Sequence, residues 1–149
     1  MGDRWLHVQA VGLSAEQLQK RGYDVSNAVI MSAWLHDVGY CESVVATGFH
    51  PLDGAKWLLD QGAPSGVVAL VAYHSAARFE AEERGLGDEL ARFPAPDPDQ
   101  LDGLPLIDLA TSPTGERGAV HARRAGVLAR SPEGPPVHRA GWRSRGTLA

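Results

Sequence analysis

Six residues in the first 108 positions could do chemistry together, because imidazole and carboxylate side chains are metal ligands and proton carriers. Each of the histidines falls at the end of a predicted helix or beside an acidic residue. Borderline divalent ions such as Zn, Mn, Fe and Ni suit mixed imidazole and carboxylate ligands, and a helical bundle can bring such ligands together from different helices. The six are therefore predicted metal ligands: His7, His36, Asp37, His50, His74 and Asp108.

Each of these residues also has an ordinary structural interpretation. His36 and Asp37 are residue types that commonly end a helix. His50 could cap the helix that follows it, and His74 could be a packed core residue. Asp108 is harder to explain, because it lies in the apolar segment LPLIDLAT and a buried carboxylate needs a partner or a cation. A cation accounts for all six residues at once, so the metal interpretation is favoured.

Hydrophobic periodicity predicts the helices that would position these residues. Trp5, Val8 and Val11 recur at helical spacing, which predicts that all three pack in the core. The second helix is apolar almost all round and is expected to be central, and the fourth is expected to bend near His74. The predicted helices span residues 3–21, 26–38, 51–61, 65–85, 101–111 and 118–130, with a helical turn at 87–93 and a proline-rich loop at 94–99.

The expected fold class is all-α, an irregular bundle of five or more helices. No segment alternates apolar and polar residues as a half-buried strand would. Gly103 and Pro105 are expected to interrupt the 101–111 helix. We predict a helical metal-binding domain over residues 1–116, and an arginine-rich helix with a poorly ordered tail over 117–149.

Composition excludes several classes of protein. The 149 residues have a one-domain length, and Cys41 is the only cysteine, which excludes a disulfide framework and a CxxC zinc site. No apolar run reaches ~18 residues, so no transmembrane helix is expected. Asp3, Arg4 and His7 lie where a signal peptide would need apolar residues, which makes a cytoplasmic protein the expectation.

Charge is distributed unevenly along the chain. Residues 1–116 carry 7 Lys and Arg against 17 Asp and Glu, a balance of −10, whereas residues 117–149 carry 7 Arg and one Glu, a balance of +6. Nucleic-acid binding needs a cationic face on the folded domain, so an acidic body makes nucleic acid an improbable partner.

The order of these residues resembles the HD superfamily of metal-dependent phosphohydrolases. The matching pattern is His7, then His36-Asp37 in the phrase AWLHDVGY, then Asp108. The segments GFHPLDGA and AYHSAARFEAEERGL resemble the additional histidine segments of a two-metal subset, which includes bacterial hydrolases of dinucleoside polyphosphates. The resemblance covers residues 4–112 and implies a bundle of five or more helices.

The resemblance implies a role for each ligand. His7, His36, Asp37 and Asp108 would hold a first divalent ion, and Asp37 would bridge to a second ion held by His50 and His74. The metal would be Fe, Mn, Ni, Co or Zn, with one or two ions per chain. A metal-activated hydroxide would attack the phosphorus of a small phosphorylated substrate, which could be a nucleotide.

Two further residues are candidates near this centre. Asp53 lies three residues after His50 and could orient its imidazole, or it could be an ordinary acid in the first turn of a helix. Arg78 lies four residues after His74 and could hold a substrate phosphate if the helix continues, or it could pair with Glu82.

Two other functions share these ligands. The first is a di-iron oxygenase of the HD type, which would activate oxygen to cleave a C–C or C–P bond. The second is a module without catalytic activity that binds a metal or a nucleotide. An iron-dependent absorbance change on exposure to oxygen would distinguish the first, and full metal loading without turnover would favour the second.

Overall fold

The computed structural model describes residues 2–109, and every regular element within them is helical. This confirms the predicted all-α irregular bundle. The predicted helix at 118–130, the tail after it and the domain boundary at residue 116 lie outside the described residues. The helices are α1 (Gly2–Lys20), α2 (Asn27–Leu35), α3 (His50–Asp60), α4 (Ser65–Tyr73), α5 (Ala77–Arg84), α6 (Gly87–Leu90) and α7 (Pro98–Leu109), with a 3-10 turn at Val38–Tyr40.

Helix α4 is the most deeply buried element of the described bundle. The residues from Val67 to Ala72 are all buried. One side of α4 shares a core with Leu58 of α3, and Leu70 on the other side shares a core with Leu104 of α7. Helix α2 packs against α1, α4 and α7, which agrees with the central position predicted for it, but one side is open, because Met31 is 40% exposed. Apolar content alone does not distinguish a helix with neighbours all round from one with an open face.

Helices α1 and α2 approach closely at a glycine. A Cβ atom on Gly12 would lie 2.3 Å from the indole of Trp34, whose Nε1 donates a hydrogen bond to the carboxylate of Glu16 at 3.0 Å. Val11 is fully buried, but Trp5 is 56% exposed, so the prediction that Trp5 packs in the core is wrong.

Two helices end at a histidine, earlier than predicted. Helix α2 ends at Leu35 rather than at residue 38, and His36 follows it. Helix α4 ends at Tyr73, so the expected bend at His74 is a complete break, with left-handed φ angles of 51° at Ser75 and 64° at Ala76. Helix α5 then begins as a separate element.

Helix α7 begins inside the predicted proline-rich loop. The side chain of Asp97 accepts a hydrogen bond from the Asp99 backbone N–H at 2.9 Å, which caps the helix at Pro98. Residues 98–109 are one helix, so the expected interruption at Gly103 and Pro105 is wrong. No helix within residues 2–109 is both long enough and apolar enough to cross a membrane.

Candidate metal centre

The six predicted ligands converge from five helices into one group, here called the cluster. Most of them lie at the start or the end of a helix. The cluster consists of His7 on α1, His36 and Asp37 after α2, His50 at the start of α3, His74 after α4, and Asp108 in the last turn of α7.

One half of the cluster surrounds the buried imidazole of His36. The Nε2 atom of His7 lies 2.7 Å from Oδ1 of Asp108. The Nε2 atom of His36 lies 3.6 Å from Asp108 Oδ1 and 3.6 Å from Asp37 Oδ1. All four residues are buried, and His36 is only 1% exposed.

The other half joins Asp37 to two more histidines. The Nε2 atom of His50 lies 3.7 Å from Asp37 Oδ1 and 3.1 Å from Nε2 of His74. The rings of His36 and His74 meet edge to face, with centroids 5.4 Å apart. Asp37 therefore lies between the two halves and faces both.

The same device orients two of the histidines. The Nδ1 atom of His36 lies 2.8 Å from the carbonyl of Ala33, and Nδ1 of His74 lies 2.7 Å from the carbonyl of Val71. A carbonyl oxygen only accepts, so Nδ1 carries the proton in both rings. In a neutral ring, Nε2 then carries a lone pair that faces the cluster. Metal-binding histidines are commonly oriented in this way, by a hydrogen bond from the other ring nitrogen to a protein acceptor. Each bond also occupies a carbonyl oxygen that would accept from the next backbone N–H if the helix continued.

One nitrogen in the cluster is left without a hydrogen-bond partner. Among residues 2–109, Nε2 of His36 is the buried side-chain polar atom that has none. Two ligands that share one ion lie about 3.0–3.4 Å apart if each bond is ~2.1 Å long and the angle is 90–109°. The gaps of 3.6 Å around His36 and of 3.1 Å between His50 and His74 are close to that spacing. The donor set thus fits a divalent ion.

Burial and mutual charge shift the protonation of the cluster. Burial acts to lower the pKa of His36, but the carboxylates of Asp108 and Asp37 outweigh it and raise that pKa to about 9. Burial acts to raise the pKa of Asp108, yet His36 and His7 hold it well below its usual value. The pKa of His50 is lowered by burial and by the neighbouring positive groups. The carboxylate of Asp108 is therefore ionised at neutral pH, and its buried negative charge favours a cation.

No family model, curated protein or solved structure matches this chain. The described residues nevertheless contain two groups of potential metal ligands, and within each group the ligand atoms all lie within 4.8 Å of one another. One comprises His7, His36 and Asp37, and the other comprises Asp37, His50 and His74. The cluster could therefore hold a metal ion.

A glycine allows the two halves of the cluster to meet. A Cβ atom on Gly39 would lie 2.0 Å from the backbone oxygen of His50 and 2.8 Å from the nitrogen of Gly54. Any side chain at this position would push the turn that carries Asp37 away from the start of α3. Glycine is required here for the close approach of two backbones.

Asp53 binds the loop before α3 and does not orient His50 directly, as one of the two interpretations of the sequence had it. Its buried carboxylate accepts hydrogen bonds from the backbone N–H groups of Ala46, Thr47 and Gly48 at 3.0–3.1 Å, and from the hydroxyl of Thr47 at 2.7 Å. The carboxylate thus holds the loop that leads into α3, and its effect on His50 is indirect.

Arg78 does not share a helix with His74, because the chain breaks between them. Its side chain is exposed, and its guanidinium lies 5.8 Å from the centroid of the Tyr73 ring. The spacing of four residues that motivated a phosphate-binding role therefore does not place Arg78 on the face of His74. The hydrogen bonds and ion pairs of the cluster described above do not include it.

Three residues beside the cluster were missed in the sequence. The hydroxyl of Ser75 donates to Asp108 Oδ2 at 2.9 Å. Arg4 Nη1 donates to Asp37 Oδ2 at 3.2 Å, and the Tyr40 ring stacks on His50. Arg4 precedes His7 by one helical turn, which was an available signal. The contacts of Ser75 and Tyr40 depend on turns that helical periodicity does not predict.

Proposed function

We propose that this chain is a metal-dependent phosphohydrolase that cleaves a small phosphoester or a nucleotide. The observation that carries the proposal is the buried Nε2 atom of His36, which has no hydrogen-bond partner and lies 3.6 Å from two carboxylates. Leaving a buried polar atom unpaired costs about 1–3 kcal/mol. A divalent ion would remove that cost and neutralise both carboxylates. The resemblance to the HD superfamily supports hydrolysis as the reaction.

The ligands would divide between two ions that share Asp37. His7, His36, Asp37 and Asp108 would hold the first ion, and His50 and His74 would complete the second. Fe, Mn, Ni, Co and Zn all suit this donor set. Such an ion, when bound, lowers the pKa of a water molecule and stabilises charge on phosphoryl oxygens.

The protein's own groups orient the ligands and leave one side of the cluster open. The Nδ1 bonds of His36 and His74 to backbone carbonyls hold both rings with Nε2 towards the cluster. Ser75 holds one oxygen of Asp108. His50 is only partly buried, and the side chain of Arg4 is 46% exposed. Substrate would therefore approach on the side of Arg4 and His50.

A metal measurement followed by a substrate screen tests this proposal. The purified full chain is assayed for bound metal and then given phosphomonoesters, nucleotides and dinucleoside polyphosphates with Mn, Fe, Co or Ni. We expect hydrolysis that Asp37→Asn reduces at least ~100-fold, since even the partners of metal ligands cost 10–100-fold. Asp24→Asn, at an exposed acid in the turn after α1, is the matched control and should retain activity.

Other outcomes of this experiment would replace the proposal. An iron-dependent absorbance change on exposure to oxygen, without phosphoester cleavage, would support the di-iron oxygenase. Full metal loading with neither reaction would support a module without catalytic activity.

A further inference from the structure

We propose that Arg4, stacked on Tyr40 at the open side of the cluster, is a substrate-binding residue that exchanges Asp37 for a phosphoryl oxygen of the substrate. The inference rests on the proposed function in one respect, namely that the substrate carries a phosphoryl group. It adds a residue outside the ligand set, on the side from which the substrate would approach.

Arg4 belongs to a three-layer stack that ends on a predicted ligand. The Cζ atom of Arg4 lies 3.5 Å from the centroid of the Tyr40 ring. On its other face, the Tyr40 ring lies 4.1 Å from the His50 ring at an angle of 18°. A guanidinium held flat on an aromatic ring loses little freedom when it binds an anion, because the ring already orients its donors. The stack thus presents a pre-oriented cation beside His50.

Arg4 forms an ion pair with Asp37, which is also a predicted metal ligand. Arg4 Nη1 lies 3.2 Å from Asp37 Oδ2, whereas Asp37 Oδ1 faces His36 and His50. Among the ion pairs within residues 2–109, this is the one that joins an arginine or lysine to the cluster. A cation held by Asp37 would neutralise the charge of this carboxylate, and its attraction for Arg4 would weaken. The guanidinium is then available to another anion.

A phosphoryl group is the anion that this position fits. Arginine presents planar donors that match two oxygens of a phosphate. The side chain of Arg4 is 46% exposed and its Nη1 atom contacts Asp37, so Arg4 is reached by solvent and touches the cluster. A phosphoryl group bound to Arg4 would therefore be held at the same edge as Asp37.

The competing account gives Arg4 a structural role only, as the counter-charge of Asp37. The two accounts differ in what the metal-loaded protein does. A structural partner would affect metal binding or folding and leave phosphate binding unchanged. A substrate-binding residue would affect phosphate binding and leave metal binding unchanged.

The test is calorimetric titration of the Mn-loaded full chain with inorganic phosphate. We expect Arg4→Gln to weaken phosphate binding about 10- to 100-fold, the loss of one or two charged hydrogen bonds, with the Mn content of the parent. Arg4→Lys keeps the charge without the planar fork and should be intermediate. Arg21→Gln makes the same charge change just past the other end of α1, about 25 Å away, and should match the parent.

The stack itself is tested by a pair of variants at Tyr40. Tyr40→Phe keeps the ring and should bind phosphate more tightly than Tyr40→Leu, which should bind it several-fold more weakly than the parent. The inference is wrong if the Mn-loaded parent does not bind phosphate or if Arg4→Gln binds it as well as the parent. Loss of Mn in Arg4→Gln would also overturn it, because Arg4 would then position Asp37.

Phosphate binding is measured without turnover, which separates this inference from the proposed function. Arg4-dependent phosphate binding without hydrolysis of any phosphoester would support the inference and contradict the function. Hydrolysis with an unchanged KM in Arg4→Gln would support the function and contradict the inference.

Discussion

The Nε2 atoms of His50 and His74 lie 3.1 Å apart, although 24 residues separate them in the chain. Nδ1 of His74 donates to the Val71 carbonyl, so Nε2 of the neutral ring carries a lone pair. Burial and then the nearby His36 lower the pKa of His74, and burial likewise lowers that of His50. The two nitrogens therefore either share the Nε2 proton of His50 or jointly bind a cation.

Replacing both histidines should reduce the number of bound ions by one. In the double variant His50→Gln, His74→Gln we expect one ion per chain to remain at His7, His36, Asp37 and Asp108, with most turnover lost, because a second ion helps to stabilise both the attacking and leaving oxygens. Metal analysis after gel filtration measures the stoichiometry. If the double variant binds as much metal and turns over as fast as the parent, the second site does not exist.

A methyl group on Gly39 should separate the two halves of the cluster. The added Cβ would meet the His50 backbone oxygen at 2.0 Å, so Gly39→Ala should lower the free energy of unfolding by about 1–3 kcal/mol and reduce metal binding. Gly103→Ala is the control, because no atom lies within 4 Å of its Cβ. That change should stabilise α7 by about 0.5–1 kcal/mol. Urea unfolding of both variants measures the difference, and equal effects would refute the close-approach explanation.

Asp53→Asn should destabilise the loop before α3 while the metal is retained. The carboxylate accepts from Ala46, Thr47 and Gly48, and an amide cannot accept all of these bonds through one oxygen. We expect a loss of about 2–4 kcal/mol in the free energy of unfolding. If Asp53 instead orients His50, as the sequence suggested, metal affinity would fall 10–100-fold with little change in stability.

Metal-free protein should lose stability as the pH rises from 6.5 to 9. The pKa of His36 is about 9 in the folded chain, against 6.5 for an unperturbed histidine. Its stabilising effect is complete below pH 6.5 and is lost as the pH passes 9. His50 and His74 have lowered pKa values and act oppositely, since their contribution is lost on acidification below pH 6.5. The expected decline up to pH 9 is at most about 3 kcal/mol.

Thermal unfolding with EDTA and with Mn measures this pH effect. Metal binding requires Nε2 of His36 to release its proton, so the difference in Tm between the two samples should grow from pH 6.5 to 9. His36→Gln should abolish the alkaline decline of the metal-free protein. An unchanged decline in that variant would assign the effect to other groups.

Residue type and order predicted which side chains meet, because one cation accounts for all six histidines and aspartates, whereas each ordinary structural interpretation accounts for only one or two of them. The all-α fold followed from apolar periodicity in the same way. The break after His74 was not predictable from periodicity, since it depends on a side chain that bonds the Val71 carbonyl in place of the next helical N–H. The partners of Asp53 and the stacking of Tyr40 on His50 were also missed, because each joins a loop or turn to a separate element.

The central claim is that the cluster holds a divalent metal, and anomalous diffraction from crystals of the full chain grown with Mn tests it most directly. The account predicts an anomalous peak ~2.0–2.2 Å from Nε2 of His36 and from an oxygen of Asp37. A second peak is predicted at the same range from Nε2 of His50 and of His74. Metal-replete crystals with no peak in the cluster, or with peaks only elsewhere, would contradict the claim.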